Sequence, residues 1–176
     1  GGREMFRLIY TMPLYKVCLV MVLLLVLWAY YRAYLPKKLF WSMNLCVLVL
    51  SAFAVLYLTV FSRKVGTYDV VLAPFSALRE AKAEPERYRS MLMNVFLFFP
   101  IGMACANAFP DKMKVWHRVI LTVAIGLALS TAVEYIQYRF SLGMAETDDV
   151  ICNTLGALVG SLSVILADFL GKHKRK

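Results

Sequence analysis

Between Thr122 and Ser163 the chain sets Glu134, Gln137, Arg139, Asp148, Asp149 and Asn153 beside or inside long apolar runs. Even on a lenient insertion scale, a charged side chain inside a membrane costs roughly 2.5–3.5 kcal/mol, so a partner or a function must hold it there. Carboxylates that face one another in a low dielectric need a counter-charge, for which Arg139, Arg63 or a bound cation are the candidates. Charges of both signs at one depth suit the gripping of a polar lipid headgroup. General acid–base chemistry is the alternative, and it requires a nucleophile. No Ser or Cys stands beside an evident base, and His117 and His173 fall on the opposite side of the membrane. A carboxylate site for Mg²⁺ stays open, with no other cofactor expected.

Helical geometry brings these residues together. At 100° per residue, Thr122, Gly126, Ser130, Glu134 and Gln137 fall within an arc of about 120°. Asp149, Asn153, Gly156, Gly160 and Ser163 fall within about 80° on the next helix. A short connection makes the two helices antiparallel neighbours, and Gly126, Ser130 and the Gly156/Gly160 pair read as their close-packing surface. Packing alone does not account for Glu134, Gln137, Asp149 and Asn153 on the same stripes. Asp148 and Asp149 also open a helix, where carboxylates favour the positive dipole end and Asp148 is placed to cap.

The rest of the chain supplies the setting. It has 176 residues, of which 61% are hydrophobic, and a formal net charge of +9. Soluble domains use nearer 45–50% apolar residues, so that class is excluded. Spans of about 20 apolar residues can be drawn at about 14–35, 39–61, 90–109, 118–138 and 150–169. The expected architecture is all-α: a polytopic transmembrane bundle of five spans forming one domain over residues 1–176. The first block is too long for a signal peptide and lacks a small-residue cleavage site. Residues 65–78 contain Pro74 and are too short to span, so they are a candidate re-entrant or interfacial segment. An ordinary solvated loop is the alternative.

In the third span Asn94 precedes Pro100 and Gly102; the proline predicts a kink, and Asn94 is placed to bond freed backbone or a neighbouring helix. Cys18, Cys46, Cys105 and Cys152 lie in separate apolar blocks and read as packed free thiols. Tyr30, Tyr31, Tyr34, Trp41 and Trp116 fit aromatic belts at the interface.

Five spans put the termini on opposite sides, and the twenty Lys and Arg divide evenly between those sides. Arg32, Lys37, Lys38, Lys112, Lys114, Arg118 and the basic tail occupy short, dense segments, which resist translocation best. The C-terminus is therefore expected in the cytoplasm, with the acidic loops outside. Positive charge that flanks every span reflects orientation and anionic lipid, and no nucleic-acid partner is expected.

The pattern Asn94…Phe98-x-Pro100-x-Gly102, Glu134-x-x-Gln137, Arg139, Asp148-Asp149-x-x-x-Asn153-x-x-Gly156-x-x-x-Gly160 resembles the VanZ-like family of bacterial membrane proteins. Arg63 at the exit of the second span and Ala73-Pro74-Phe75 fit the same pattern. The resemblance covers roughly residues 60–163. It implies a multi-pass protein of the bacterial cytoplasmic membrane with a role in the cell envelope, linked to resistance to the glycopeptide teicoplanin. It supplies no mechanism. Arg63, Asn94, Glu134, Gln137, Arg139, Asp148, Asp149 and Asn153 are the expected ligand-binding residues. Expected partners are membrane lipids, a lipid-linked envelope precursor, or the glycopeptide itself. An intramembrane lipid-modifying enzyme and a small transporter are the competing readings.

Overall fold

The structure, a computed structural model, describes residues 13–63, 65–66, 70–76, 79 and 85–174. Helix α1 runs over Leu14–Tyr34 and α2 over Lys37–Leu56, continuing through a π-helical turn at Tyr57–Phe61. Helix α3 covers Pro85–Ala108 and α4 Val115–Phe140; α5, Thr147–Ser161, is followed end to end by α6, Ser163–Lys174. Five segments are long and apolar enough to cross a membrane: Leu14–Tyr34, Lys37–Phe61, Glu86–Ala108, Val115–Phe140 and Thr147–Gly171. Prolines punctuate them. Pro13 precedes α1, Leu35 is driven extended before Pro36, and Pro85 stands at the first position of α3, where its missing N–H is no loss. The fifth span tightens at Leu162, whose N–H bonds the Val159 carbonyl at 3.2 Å.

The bundle has its apolar bulk outside. Leu19, Leu23, Leu45, Leu50, Phe53, Ile120 and Leu127 are all exposed. Small and polar residues fill the interior, including Ala104, Ala106, Asn107, Ser130, Ala157 and Ser161. Lipid tails make exposed leucine acceptable, and small residues let helix backbones approach. Helix α3 occupies the centre, against α2, α4 and α5. Its packing differs from the expectation for the glycine stripe, because Gly156 and Gly160 face α3 and not α4. A Cβ on Gly156 would overlap the Val95 carbonyl oxygen, and one on Gly160 the Phe99 carbonyl oxygen. Gly102 of α3 answers by meeting the Ala157 backbone, while Gly126 of α4 touches the Ala157 Cβ. The α5 stripe thus sits in the crease between two helices, glycines toward α3 and Asn153 toward α4. Cys105 and Cys152 are buried free thiols, but Cys18 and Cys46 face outward and are not packed inside.

Each end of the bundle has its own character. The α1–α2 and α3–α4 turns share one end, where Arg32, Lys37 and Arg118 meet Asp111. At the other end, the chain leaving α2 docks on the α4–α5 connection. Val70–Val71 (β1) pairs in parallel with Ala145–Glu146 (β2), and the Gly66 N–H bonds the Ser141 carbonyl at 2.6 Å. The described part of the 65–78 segment is thus a short extended strand followed by a turn at Pro74–Phe75, packed over the bundle end. Residues 67–69 and 77–78 of that segment lie outside the described residues.

Candidate functional site

The site is built where the α4–α5 connection folds back over the end of α4. Ser141 ends α4 in a left-handed conformation (φ 54°), and Gly143 follows at φ 135°, which favours glycine. A side chain at Gly143 would also crowd Arg63 Nη1, at 2.9 Å. The reversal lays Glu146 above Glu134. Glu134, 8% exposed, accepts the Glu146 backbone N–H on Oε2 at 3.1 Å. The Glu146 carboxylate, itself buried, accepts from Arg87 Nη1 at 2.7 and 3.0 Å. Asp149, in the first turn of α5, lies within electrostatic reach of Glu134, Glu146, Arg63 and Arg87. Glu134, Glu146 and Asp149 therefore share one end of the bundle with the exposed Arg63 and the half-buried Arg87, and each of these three carboxylates has an opposite charge within reach.

The other polar residues brace this arrangement. Gln137 donates Nε2 to the Thr59 carbonyl at 2.8 Å, taking up a backbone acceptor in the π-helical turn of α2. A π turn breaks the α-helical ladder, so a side-chain donor there ties α4 to α2. Asn153 donates to Ser130 Oγ at 2.8 Å, joining α5 to α4. Asp148, 3% exposed, makes no cap to its own helix. It accepts the Phe75 N–H at 2.6 Å and the Ser76 hydroxyl at 3.3 Å, pinning the α2–α3 connection to the top of α5. Phe75 is held at φ 61°, a sparsely populated region for a bulky residue, and the Asp148 bond lies at that point.

Beside this cluster lies a cavity of about 510 Å³ between α2 and α3, lined by Leu58, Thr59, Arg63, Arg89, Asn94 and Leu97 among others. Arg63 belongs to both the cavity and the carboxylate cluster. Asn94 turns a buried Nδ2 that has no hydrogen-bond partner, and the Gln137 and Asn153 amide oxygens are likewise buried without one. Its lining combines Arg63, Arg89 and Glu86 with hydrogen-bonding Thr59, Ser90 and Asn94 and with apolar Leu58, Met93 and Leu97.

Of the residues singled out in the sequence, Arg63, Glu134 and Asp149 are brought into mutual reach, with Gln137, Asp148 and Asn153 bracing them and Asn94 at the cavity. Arg139 is not brought in: it is exposed, with its guanidinium 6.0 Å from the Phe140 ring. Arg87 and Glu146 are the functional candidates that reading the sequence missed. Arg87 sits in a charged stretch that reads as a surface helix turn and Glu146 in an acidic connection, and their pairing depends on one connection docking on the other. The signal that could have found Arg87 is Pro85-Glu86, a helix start that places Arg87 and Asn94 seven residues apart on one face. Among the described residues, no group of three or more His, Cys, Asp or Glu is arranged to hold a metal ion.

The VanZ/LLP1 family profile matches residues 17–168. Protein VanZ of Enterococcus faecium is 32% identical over 89 residues, which are 51% of this chain and 48% of that protein. The chain thus matches about half the length of that relative. No solved structure matches. The matched residues reach into all five apolar helices and include the carboxylate–arginine end of the bundle. This chain is a multi-pass membrane protein and belongs to the VanZ/LLP1 family.

Proposed function

We propose that this protein serves the bacterial cell envelope by binding a polar lipid headgroup, a lipid-linked envelope precursor or a glycopeptide at its carboxylate–arginine end. Through that binding it contributes to resistance to teicoplanin-type glycopeptides. The observation that carries this reading is a cavity lined by both charged and apolar side chains, with buried carboxylates and their arginine partners beside it. An amphipathic ligand needs both parts. Arg63 and Arg89 suit a phosphate or carboxylate, which guanidinium meets with two parallel hydrogen bonds. Thr59, Glu86, Ser90 and Asn94 suit sugar or amide groups, while Leu58, Met93 and Leu97 accept an acyl chain. Glu134 and Asp149 lie within electrostatic reach of Arg63 and favour a guanidinium held at the cavity before the ligand arrives.

The same reading sets the orientation. The short basic turns at Arg32–Lys38 and Lys112–Arg118 and the C-terminus face the cytoplasm, and the site opens outward, where envelope precursors and glycopeptides meet. Expressing wild type and Glu134→Ala in a teicoplanin-sensitive strain, at matched membrane levels, tests the function. Protection by wild type and its loss in the variant are expected. Wild-type protection by Glu134→Ala would overturn the assignment.

A further inference from the structure

At the end of the bundle farthest from Glu134, three cations from three helix ends converge on one carboxylate. Arg32 lies in the last turn of α1, Lys37 opens α2 and Arg118 lies in the first turn of α4. Asp111, in the α3–α4 turn, receives a hydrogen bond from Arg32 Nη2. Lys37 Nζ stands 3.5 Å from Asp111 Oδ2, and Arg118 Nη2 stands 3.8 Å from Oδ1. Among the described residues of this cluster, three positive charges face the one carboxylate of Asp111.

This differs from a run of basic residues on a loop. Arg118 is only 5% exposed, and its Nε is anchored by the Met113 carbonyl at 3.1 Å. At 3.8 Å its link to Asp111 is an ion pair without a hydrogen bond. The Arg32 guanidinium lies 5.1 Å over the Phe40 ring, which packs against Trp28 at 5.5 Å. Arg118 is thus set in place by a group other than Asp111, and Arg32 is held by the Phe40 ring as well as by Asp111. Asp111 itself is 56% exposed and open to competition from a second anion. A buried guanidinium with only a shared counter-ion is costly, and the cost falls if another anion completes the set. Exposed Tyr30, Tyr34, Trp41 and Trp116 surround the same helix ends, as at a membrane interface.

We propose that Arg32, Lys37 and Arg118 form a second binding site, for a phosphate group, and that an anionic phospholipid headgroup fills it. The two guanidiniums match phosphate oxygens in geometry, Lys37 adds an exposed point charge, and Asp111 is the carboxylate against which the phosphate competes. The site shares no residue with the carboxylate–arginine end and does not depend on the function proposed there.

The test follows thermal unfolding of the intact chain in neutral detergent. Phosphatidylglycerol, phosphatidylcholine and inorganic phosphate at matched ionic strength are titrated against wild type, Arg32→Gln, Arg118→Gln, Lys37→Gln and Asp111→Asn. Phosphatidylglycerol should raise the Tm of wild type well above any shift with phosphatidylcholine, whose phosphate is offset by its own ammonium. Lys37→Gln, a change at an exposed residue that leaves the fold intact, should weaken the lipid's affinity several-fold, and each arginine variant should remove the shift. Asp111→Asn removes the competing carboxylate and should tighten phosphatidylglycerol binding by about fivefold. A shift with inorganic phosphate equal to that of the lipid supports the phosphate site and makes its source soluble; a shift with the lipid alone assigns it to the membrane. Equal shifts with the two phospholipids, or loss of the shift in Asp111→Asn, would overturn the proposal, the latter by showing that Asp111 serves to hold the arginines.

Discussion

Glu134 accepts the backbone N–H of Glu146 at 3.1 Å, and through that bond a carboxylate inside α4 is fixed by the connection that leads into α5. Because Glu146 is in turn held by Arg87, the chain of contacts reaches α3. Three elements are joined by two short-range interactions at the end of the bundle where the cavity opens.

The Glu134–Glu146 bond separates charge from structure. Glu134→Gln keeps an oxygen acceptor for the N–H, so its unfolding in detergent should stay close to wild type. Glu134→Leu leaves a buried N–H without a partner and should lower stability by about 1–3 kcal/mol. Equal stability of Glu134→Leu and wild type would show that the bond has no structural part.

Arg87 and Glu146 should behave as a coupled pair. Either Arg87→Gln or Glu146→Gln alone should destabilise by about 1.5–3 kcal/mol, the range for hydrogen bonds to charged groups. The double variant should cost clearly less than the two together, since neither then strands a buried charge. Additive effects in a double-mutant cycle would contradict the pairing.

How far this site could be read from the sequence follows from what a membrane demands. Spans must be long and apolar, so Glu134, Gln137 and Asn153 stand out against them and mark one end of two helices. Arg87 and Glu146 do not stand out, because charge in a connecting segment is ordinary. Their pairing spans 59 residues and exists only once the two connections dock. Arg139 shares the membrane level and the family pattern of Glu134, yet five residues along a helix rotate it by about 140° from Glu134, away from the site. A helical wheel finds the small-residue face of α5 but cannot say which neighbour meets it. The matching Gly102 in α3 was the missing clue. Nor could local sequence tell that Asp148 would serve the α2–α3 connection in preference to its own helix end.

The glycine contacts give a stability prediction with an internal control. Gly160→Ala and Gly156→Ala each drive a methyl into a backbone carbonyl of α3, which cannot rotate away. Each should cost at least about 1–3 kcal/mol, the usual range for overpacking. Gly171→Ala meets nothing within 4 Å and should be neutral or stabilising, since alanine is the better helix former. Unfolding midpoints of the three variants in one detergent settle the point, and a tolerated Gly160→Ala would contradict the close α3–α5 approach.

Asp148 should control the α2–α3 connection and little else. Asp148→Ala removes both bonds that hold Phe75 and Ser76, so amide exchange over residues 70–76 should accelerate while that of α3 and α4 stays slow. Unchanged exchange there would mean that the strand pairing with Ala145–Glu146 is sufficient by itself.

The central claim is that the carboxylate–arginine end binds an envelope lipid or glycopeptide, and the most direct measurement is ligand stabilisation of the purified protein. Wild type and Glu134→Gln are heated side by side with a panel of envelope lipids, lipid-linked precursors and teicoplanin. A ligand present at about 100 times its Kd should stabilise wild type by about 2.7 kcal/mol. The account predicts that at least one member of the panel does so, and that Glu134→Gln, equally stable alone, loses most of the gain. No stabilisation by any ligand, or the same gain in both proteins, would contradict it.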